Sequence, residues 1–135
     1  MSPRRLVDTS AWIEFLRDTG SAACNAVDDL LGGDLAICDA INMEVLAGAR
    51  NEQHLAQLRG LLARATLLPI IAEDYDHAAA LYRSCRRNGE TVRKLVDCLI
   101  AAVAIRLNAS VLHADIDFAV LARHTPLTLQ TDSPG

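Results

Sequence analysis

Leu6-Val-Asp-Thr-Ser-Ala-Trp-Ile13 is a stretch in which a strand pattern gives way to a helix pattern at a single aspartate. The apolar segment Arg4–Val7 ends abruptly at Asp8, as a short buried strand does. Thr9 and Ser10 are residue types that cap helix N-termini, and the residues after them repeat apolar side chains at helical spacing. The stretch therefore predicts a buried strand that leads directly into a helix, with an acid at the junction.

The same alternation of short apolar and amphipathic segments continues along the chain. Further strands are predicted at Leu35–Cys38, Thr66–Ile71, Ser110–His113 and Leu127–Leu129. Helices are predicted at Ala22–Leu31, from Asp39 to Gly48, and at Glu52–Arg64, Glu73–Arg87, Arg93–Leu107 and Ile116–Arg123. This alternation is typical of an α/β domain with a mostly parallel sheet, whose ligands bind beyond the carboxyl ends of the strands. We expect one domain, 1–135, with a frayed tail at Thr131–Gly135.

The composition excludes several classes of protein. A net charge of −4 excludes a generally basic nucleic-acid coat, and 4% aromatic residues argue against modules that stack bases on aromatic platforms. The longest apolar run, Cys98–Ile105, is too short to span a membrane, and the N-terminus lacks the pattern of an export signal. The four cysteines lack zinc-site spacing, so we expect reduced thiols in a soluble, cytoplasmic protein with no membrane partner.

Four aspartates take similar places in this predicted topology. Asp8 ends the first strand, Asp115 and Asp117 follow the fourth, and Asp97 lies near the first turn of its helix. Each also has a purely structural interpretation. Asp8 could be a cap or turn residue, and Asp97 could simply favour a helix N-terminus. Asp115 and Asp117 could be loop acids, with Asp117 capping the helix that begins at Ile116.

Glu44 is a fifth acid, and its place differs from the others. It lies in mid-helix on the stripe of Ile41, Val45 and Gly48, which faces the core, so its carboxylate is expected to be partly buried. No cation lies three or four residues away, and a counter-charge must come from another part of the chain. The alternative is a surface glutamate on a helix of different phase.

Convergence of these acids would require a cation. If Asp8, Glu44, Asp97 and Asp115 met, their like charges would repel and some would stay protonated. A divalent ion removes that penalty, and carboxylate oxygens without His or Cys favour Mg²⁺ or Mn²⁺ over Zn²⁺. The acids therefore predict a Mg²⁺ or Mn²⁺ site, with a bound water available as a nucleophile.

Four segments resemble, in order, the motifs of the PIN-domain ribonucleases. They are Leu6-Val-Asp-Thr-Ser-Ala-Trp-Ile13, Met43-Glu-Val-Leu-Ala-Gly48, Val96-Asp-Cys-Leu-Ile-Ala-Ala102 and His113-Ala-Asp-Ile-Asp-Phe118. The size and the segment Arg83–Lys94 are most similar to the toxin subunit of bacterial VapBC toxin–antitoxin pairs. The resemblance implies a PIN-like three-layer α/β/α fold with a five-stranded parallel sheet in the order 3-2-1-4-5.

The resemblance also implies roles for the site residues. By motif position, Asp8, Glu44, Asp97 and Asp115 are catalytic metal ligands, and Asp117 is an additional candidate ligand. Thr9 or Ser10 takes the place of a hydroxyl that assists near the first acid. His113-Ala114 stands where the family often has Thr or Ser. His113 is therefore either a packed residue or a group that acts behind the ligands or as a general base.

The activity implied is that of a Mg²⁺- or Mn²⁺-dependent endoribonuclease toxin. It would hydrolyse a phosphodiester bond of tRNA or another structured RNA, dimerise, and be neutralised by a cognate VapB-type antitoxin. The cations expected to hold RNA phosphates near the cut are Arg83, Arg86, Arg87, Arg93 and Lys94, the only lysine. The alternative for this basic segment is a solvated helix face followed by a polar turn.

Two further expectations concern the surface and the competing functions. The apolar face of Trp12, Ile13, Phe15 and Leu16 is broader than one core stripe needs. Part of it could meet an antitoxin helix or a second protomer, although Ile13 and Leu16 are expected in the core.

The competing functions are an inactive PIN-fold binding module and a phospho-accepting receiver domain. A receiver needs an acidic pair after the first strand, where Thr9 and Ser10 stand instead.

Overall fold

The centre of the sheet is β1 (Arg5–Val7), the strand that the first motif predicts. The computed structural model describes residues 4–130, so the predicted frayed tail lies outside the described residues. The other strands are β2 (Leu35–Ile37), β3 (Thr66–Leu67), β4 (Ser110–Leu112) and β5 (Thr128–Leu129). All pairings are parallel and the order is β3-β2-β1-β4-β5, which confirms the predicted α/β class and strand order.

The helices lie between the strands in sequence. Within residues 4–130 they are α1 (Thr9–Leu16), α2 (Ala22–Leu30), α3 (Asp39–Ala47), α4 (Glu52–Leu62), α5 (Ala72–Arg87), α6 (Leu95–Arg106) and α7 (Ile116–His124). The order of the strands reverses at β1, with β2 on one side and β4 on the other. Right-handed connections on the two sides of β1 place their helices on opposite faces of the sheet and open a crevice at the carboxyl ends of β1 and β4.

The third strand is shorter than the predicted Thr66–Ile71. β3 ends at Leu67, and the amide of Leu68 makes the last contact with β2, donating to the carbonyl of Ile37 at 2.7 Å. Pro69 follows, and it has no N–H to donate to a neighbouring strand. The chain therefore leaves the sheet before Ile71, where α5 begins.

The core is formed by the apolar sides of the sheet and by α6. Trp12, Ile100 and Phe118 are fully buried, and α6 is covered on nearly all sides from Asp97 to Ala104. The prediction that Ile13 and Leu16 belong to the core is wrong, because their exposed fractions are 37% and 41%. α1 buries Ala11 and Trp12 and leaves the neighbouring part of its apolar face at the surface.

An ion pair between the buried Asp74 and the exposed Arg106 joins α5 to the end of α6, and sequence reasoning missed it. Asp74 accepts hydrogen bonds from Nε and a terminal nitrogen of Arg106, both at 2.9 Å, and from the amide of Ile71 at 2.9 Å. Burial alone would raise the pKa of Asp74, but these hydrogen bonds and the Arg106 charge hold it below its usual value. The pair therefore fixes the start of α5 against the last turn of α6.

The described chain also bears on two composition-based expectations. None of its helices combines the length and the apolar character needed to cross a bilayer. All four cysteines are free thiols and buried, as expected for reduced cysteines.

Candidate active site

The ends of β1 and β4 bring two of the predicted acids to one edge of the sheet. Asp8 directly follows β1, and its amide donates to the carbonyl of Leu112 at the end of β4 at 2.9 Å. Asp115 lies three residues beyond that strand end, at the N-terminus of α7. Asp97 reaches the same region from the first turn of α6. The crevice where the strand order reverses is therefore lined with carboxylates.

Three carboxylates meet closely enough to share one cation. Asp97, Asp115 and Asp117 each contribute an oxygen atom, and these atoms all lie within 4.8 Å of one another. Asp97 and Asp117 are buried, and the side chain of Asp115 is nearly so. We call these three residues the acidic cluster.

Asp8 lies beside the acidic cluster but outside this 4.8 Å group. Its Oδ2 accepts hydrogen bonds from the amide of Ser10 at 2.9 Å and from the Ser10 hydroxyl at 2.6 Å. Ser10 Oγ also accepts from the amide of Ala114 at 2.9 Å, so this hydroxyl connects Asp8 to the loop after β4. The serine that the first motif places after the acid thus links the two strand ends.

Two buried carboxylate oxygens have no hydrogen-bond partner among residues 4–130. They are Oδ1 of Asp8 and Oδ2 of Asp97. An ionised buried oxygen without a donor is costly, and such atoms in native proteins need a particular explanation. Three carboxylates grouped at one place, with one oxygen of Asp97 and one of the neighbouring Asp8 lacking a hydrogen-bond donor, fit a hard divalent cation. The residues present therefore fit the metal that the sequence predicts.

The electrostatics of the site follow from this crowding. Burial raises the pKa of Asp97 to about 8. A hydrogen bond between its protonated form and Asp117 also raises this pKa, and so does the negative charge of Asp8. Burial also raises the pKa of Asp8, with a further rise from the charge of Glu44, although hydrogen bonds from Ser10 oppose both. Asp8 and Asp97 therefore hold protons more strongly than ordinary aspartates.

Glu44 approaches Asp8 from α3 but does not join the acidic cluster. Its side chain is half-buried, and the Thr9 hydroxyl donates to Glu44 Oε1 at 2.7 Å. Among the described residues no cation lies within 4.0 Å of this carboxylate. No side chain therefore supplies the counter-charge that Glu44 requires. The hydrogen bond from Thr9, the residue after Asp8, holds the Glu44 carboxylate at the same edge of the sheet as Asp8.

Asp117 holds the start of α6 in place. Its Oδ1 accepts from the amide of Arg93 at 3.1 Å, and its Oδ2 accepts from the amide of Lys94 at 3.1 Å. Lys94 is the N-cap residue of α6, but its side chain makes no capping hydrogen bond. The side chain of Asp117, on α7, accepts the amide hydrogen bonds at this helix start instead. The suggestion that Asp117 caps its own helix is wrong. Asp115 is the N-cap of α7 and accepts from the amide of Asp117 at 2.9 Å.

Two cations of the basic segment are bound to the acidic cluster. Arg93 donates to Asp115 Oδ1 at 2.7 Å and to Asp117 Oδ1 at 3.2 Å. The ammonium of Lys94 lies 3.1 Å from Asp115 Oδ2 and 4.0 Å from Asp97 Oδ2. Partial burial would raise the pKa of Asp115, but the hydrogen bond from the Asp117 amide and the two cations hold it below its usual value. The other three cations, Arg83, Arg86 and Arg87, lie on α5 and are exposed.

The histidines near this edge are packed residues. The His113 ring lies against Phe118 with 5.4 Å between centroids, and its Nδ1 accepts from the amide of Asp115 at 3.2 Å. His124 is half-buried, with Nε2 2.7 Å from Glu90 Oε1. Arg123 donates to the same glutamate at 2.9 Å, so Glu90 ties the loop before α6 to the end of α7. No local sequence signal identifies this contact, because its partners are more than thirty residues apart.

Comparison with known proteins agrees with this geometry. A family model described as the PIN domain matches residues 5–124. A VapC ribonuclease of Mycobacterium bovis and ribonuclease VapC11 of Mycobacterium tuberculosis are each 46% identical over 126 residues, covering 90% of this chain and 94% of theirs. A chain of DNA-bound VapBC from Salmonella typhimurium superimposes with a TM-score of 0.76 at 19% identity, covering 96% of this chain and 98% of that one. The likeness to that solved structure shows the fold alone.

Proposed function

The chain belongs to the PIN-domain family and, within it, to the VapC ribonucleases, and on this basis we propose that it is a metal-dependent endoribonuclease toxin. The proposed reaction is hydrolysis of a phosphodiester bond in structured RNA such as tRNA. The observation that carries the proposal is a pair of buried oxygens without a hydrogen-bond donor, Asp97 Oδ2 in the acidic cluster and Asp8 Oδ1 beside it. The family match argues against a receiver domain.

We propose that Mg²⁺ or Mn²⁺ binds between these acids. Asp97 and Asp115 are the central ligands, and Asp8 and Glu44 complete the site from the β1 side. Asp117 lies close enough to be an additional ligand, and it also orients the start of α6 by accepting the amides of Arg93 and Lys94. A bound Mg²⁺ or Mn²⁺ would lower the pKa of a water and stabilise negative charge on phosphate oxygens.

The remaining residues of the crevice orient the ligands and the substrate. Ser10 donates a hydrogen bond to Asp8 and Thr9 donates one to Glu44, and these bonds fix the orientation of the two carboxylates. Arg93 and Lys94 are held at the rim, with half or more of each side chain exposed. In this position their charges would attract and align the RNA phosphates on either side of the bond that is cut.

We propose that the antitoxin covers a groove next to this site. The exposed side chains of Ile13 and Leu16 line it, together with Arg17, Arg50 and Glu44, and its volume is about 380 Å³. Apolar side chains flanked by arginines suit an amphipathic segment that carries both apolar and acidic residues. Because Glu44 belongs to both the groove and the acidic edge, a bound segment would lie across the metal site. Homodimerisation stays a prediction from the family resemblance.

The catalytic proposal is tested by RNA cleavage with a matched control. Asp8→Asn and Asp97→Asn should abolish cleavage in the presence of Mg²⁺ or Mn²⁺, and chelation should abolish cleavage by the unaltered protein. Asp29→Asn removes an exposed carboxylate from α2 and should leave the rate unchanged. Mapping the cut ends in total RNA would identify the target, and 5′-phosphate and 3′-hydroxyl ends are expected. Cleavage by Asp97→Asn at the rate of the unaltered protein would refute the metal site. If the unaltered protein is folded and cuts no RNA, the alternative of an inactive binding module would be favoured instead.

A further inference from the structure

A second cavity lies on the other side of Arg93 from the acidic cluster. It has a volume of about 530 Å³ and is formed by one face of α5 and the loop that leads into α6. Tyr82, Arg83 and Arg86 line it from α5, and Arg93 and Leu95 line it from the loop and from the start of α6. We call this cavity the arginine pocket. Because Arg93 also contacts Asp115 and Asp117, one side chain separates the pocket from the metal site.

The pocket contains a flat cationic surface. The guanidinium carbon of Arg86 lies over the ring of Tyr82, 5.5 Å from its centroid. A guanidinium held against an aromatic ring is attracted by the ring electrons and loses much of its freedom to rotate. Its other face then remains available, and guanidinium planes as well as aromatic rings stack on unpaired bases. Leu95, 60% exposed, adds an apolar wall that no described residue covers.

The charges of the pocket distinguish it from an ordinary apolar cavity. Three guanidinium groups line it, and none of the residues named as its lining is acidic. Such a set suits a ligand with a planar ring and a phosphate, whose two parts need a stacking surface and cations respectively. Two of the three arginines, Arg83 and Arg86, make no salt bridge within 4.0 Å in the described chain. They are therefore available to a ligand.

We propose that the arginine pocket binds one unpaired nucleotide of the RNA substrate, next to the bond that is cut, with its base stacked on Arg86. This inference rests on the proposed function and extends it to substrate selection. A base held there would position the neighbouring phosphate at Arg93, at the rim of the acidic cluster. RNA with an unpaired base beside the cut would then be favoured over a continuous duplex, in which no base is free to enter the pocket.

The pocket distinguishes two neighbouring arginines that the sequence places in the same basic segment. Arg87 is exposed on α5 but does not line the pocket, whereas its neighbour Arg86 does. If the segment attracted RNA only through its total charge, Arg86 and Arg87 would contribute equally. Stacking instead requires the planar group at Arg86, so that a lysine there would keep the charge and lose the contact.

The test is binding of a fluorescein-labelled, single-stranded RNA oligonucleotide, measured by anisotropy in an Asp97→Asn background so that the RNA stays intact. A second probe has the same backbone with abasic sites. Arg86→Lys and Tyr82→Ala should weaken binding of the base-containing probe about tenfold and leave binding of the abasic probe nearly unchanged. Tyr82→Phe, which keeps the ring, should bind both probes like the background protein. Arg59→Ala, which removes an exposed cation from α4, should bind both probes like the background protein.

Three results would overturn the proposal. One is equal binding of the two probes by the background protein, and another is an Arg86→Lys variant that keeps full affinity for the base-containing probe. The third is a change of oligomeric state in the Arg86 variants without any change in RNA binding, which would make the pocket a contact between two copies of the chain. Circular dichroism checks that each variant is folded. None of these results affects the cleavage test, so the pocket can fail while the ribonuclease proposal stands.

Discussion

The ammonium of Lys94 lies 3.1 Å from Asp115 Oδ2 and therefore partly neutralises the acidic cluster from its rim. A cation in that position competes with a metal ion for the same oxygens. We predict that Lys94→Gln binds Mn²⁺ about fivefold more tightly in titration calorimetry. This corresponds to about 1 kcal/mol, because half of the lysine side chain is exposed and solvent screens its charge.

The same variant should bind RNA more weakly, since Lys94 also faces the substrate side. Lys94→Arg keeps the positive charge and should have the Mn²⁺ affinity of the unaltered protein. Equal Mn²⁺ affinity in Lys94→Gln and the unaltered protein would show that the ammonium does not oppose metal binding.

The raised pKa of Asp97 predicts a pH-dependent stability of the metal-free protein. Its pKa is about 8 in the folded state against an ordinary value of 3.8, so the folded state binds a proton more tightly than the unfolded state. The stabilising contribution is complete below about pH 4 and is lost as the pH rises towards 8. In urea unfolding with a chelator present, the free energy of unfolding should therefore fall by a few kcal/mol between pH 5 and pH 8. The Asp97→Asn variant should not show this fall.

Metal should reverse this trend, because the ion binds the ionised carboxylate. Mn²⁺ affinity should rise with pH up to about 8, and added Mn²⁺ should stabilise the protein more at pH 8 than at pH 5. Asp115→Asn should keep most of the slope seen in chelator, because the pKa of Asp115 lies below its usual value and it is ionised throughout this range. A slope in Asp97→Asn equal to that of the unaltered protein would exclude Asp97 as its source.

The parts of the site that sequence could predict are those set by local pattern. Asp8 and Asp115 follow strands, and parallel strands that neighbour each other end at the same edge, so their approach follows from the topology. The half-buried place of Glu44 follows from the helical spacing of Ile41 and Val45. These predictions needed only the period of the chain and the position of each acid in it.

The parts that sequence could not predict depend on contacts between distant segments. The salt bridge of Asp74 with Arg106 and that of Glu90 with Arg123 each join residues more than thirty positions apart. The exposure of Ile13 depends on which side of α1 faces the sheet. The apolar face of α1 is broader than the core requires, so the sequence does not determine which part of that face is buried.

The Asp74–Arg106 pair should stabilise the fold without affecting the metal site. Asp74→Ala leaves Arg106 without its bidentate partner and removes the acceptor of the Ile71 amide, so we expect a loss of about 1 to 2 kcal/mol in the free energy of unfolding, because Arg106 is exposed and solvent screens its charge. Urea denaturation of the single variants and of the double variant with Arg106→Ala would give the coupling energy. Additive losses would show that the pair contributes no interaction of its own, and a changed Mn²⁺ affinity in folded Asp74→Ala would show that the two regions are coupled.

Ser10 should control the metal site through Asp8 without touching the ion. Its hydroxyl donates to Asp8 Oδ2 at 2.6 Å and accepts from the amide of Ala114 at 2.9 Å, so Ser10→Ala leaves both groups without this partner. Loss of the bond to the carboxylate raises the pKa of Asp8 further and frees its side chain to rotate. We expect Mn²⁺ affinity and the cleavage rate each to fall at least tenfold, with a larger loss at pH 6 than at pH 8. Ser10→Thr keeps the hydroxyl and should restore most of both, whereas a threonine variant as impaired as the alanine variant would show that packing, and not the hydrogen bond, is what Ser10 supplies.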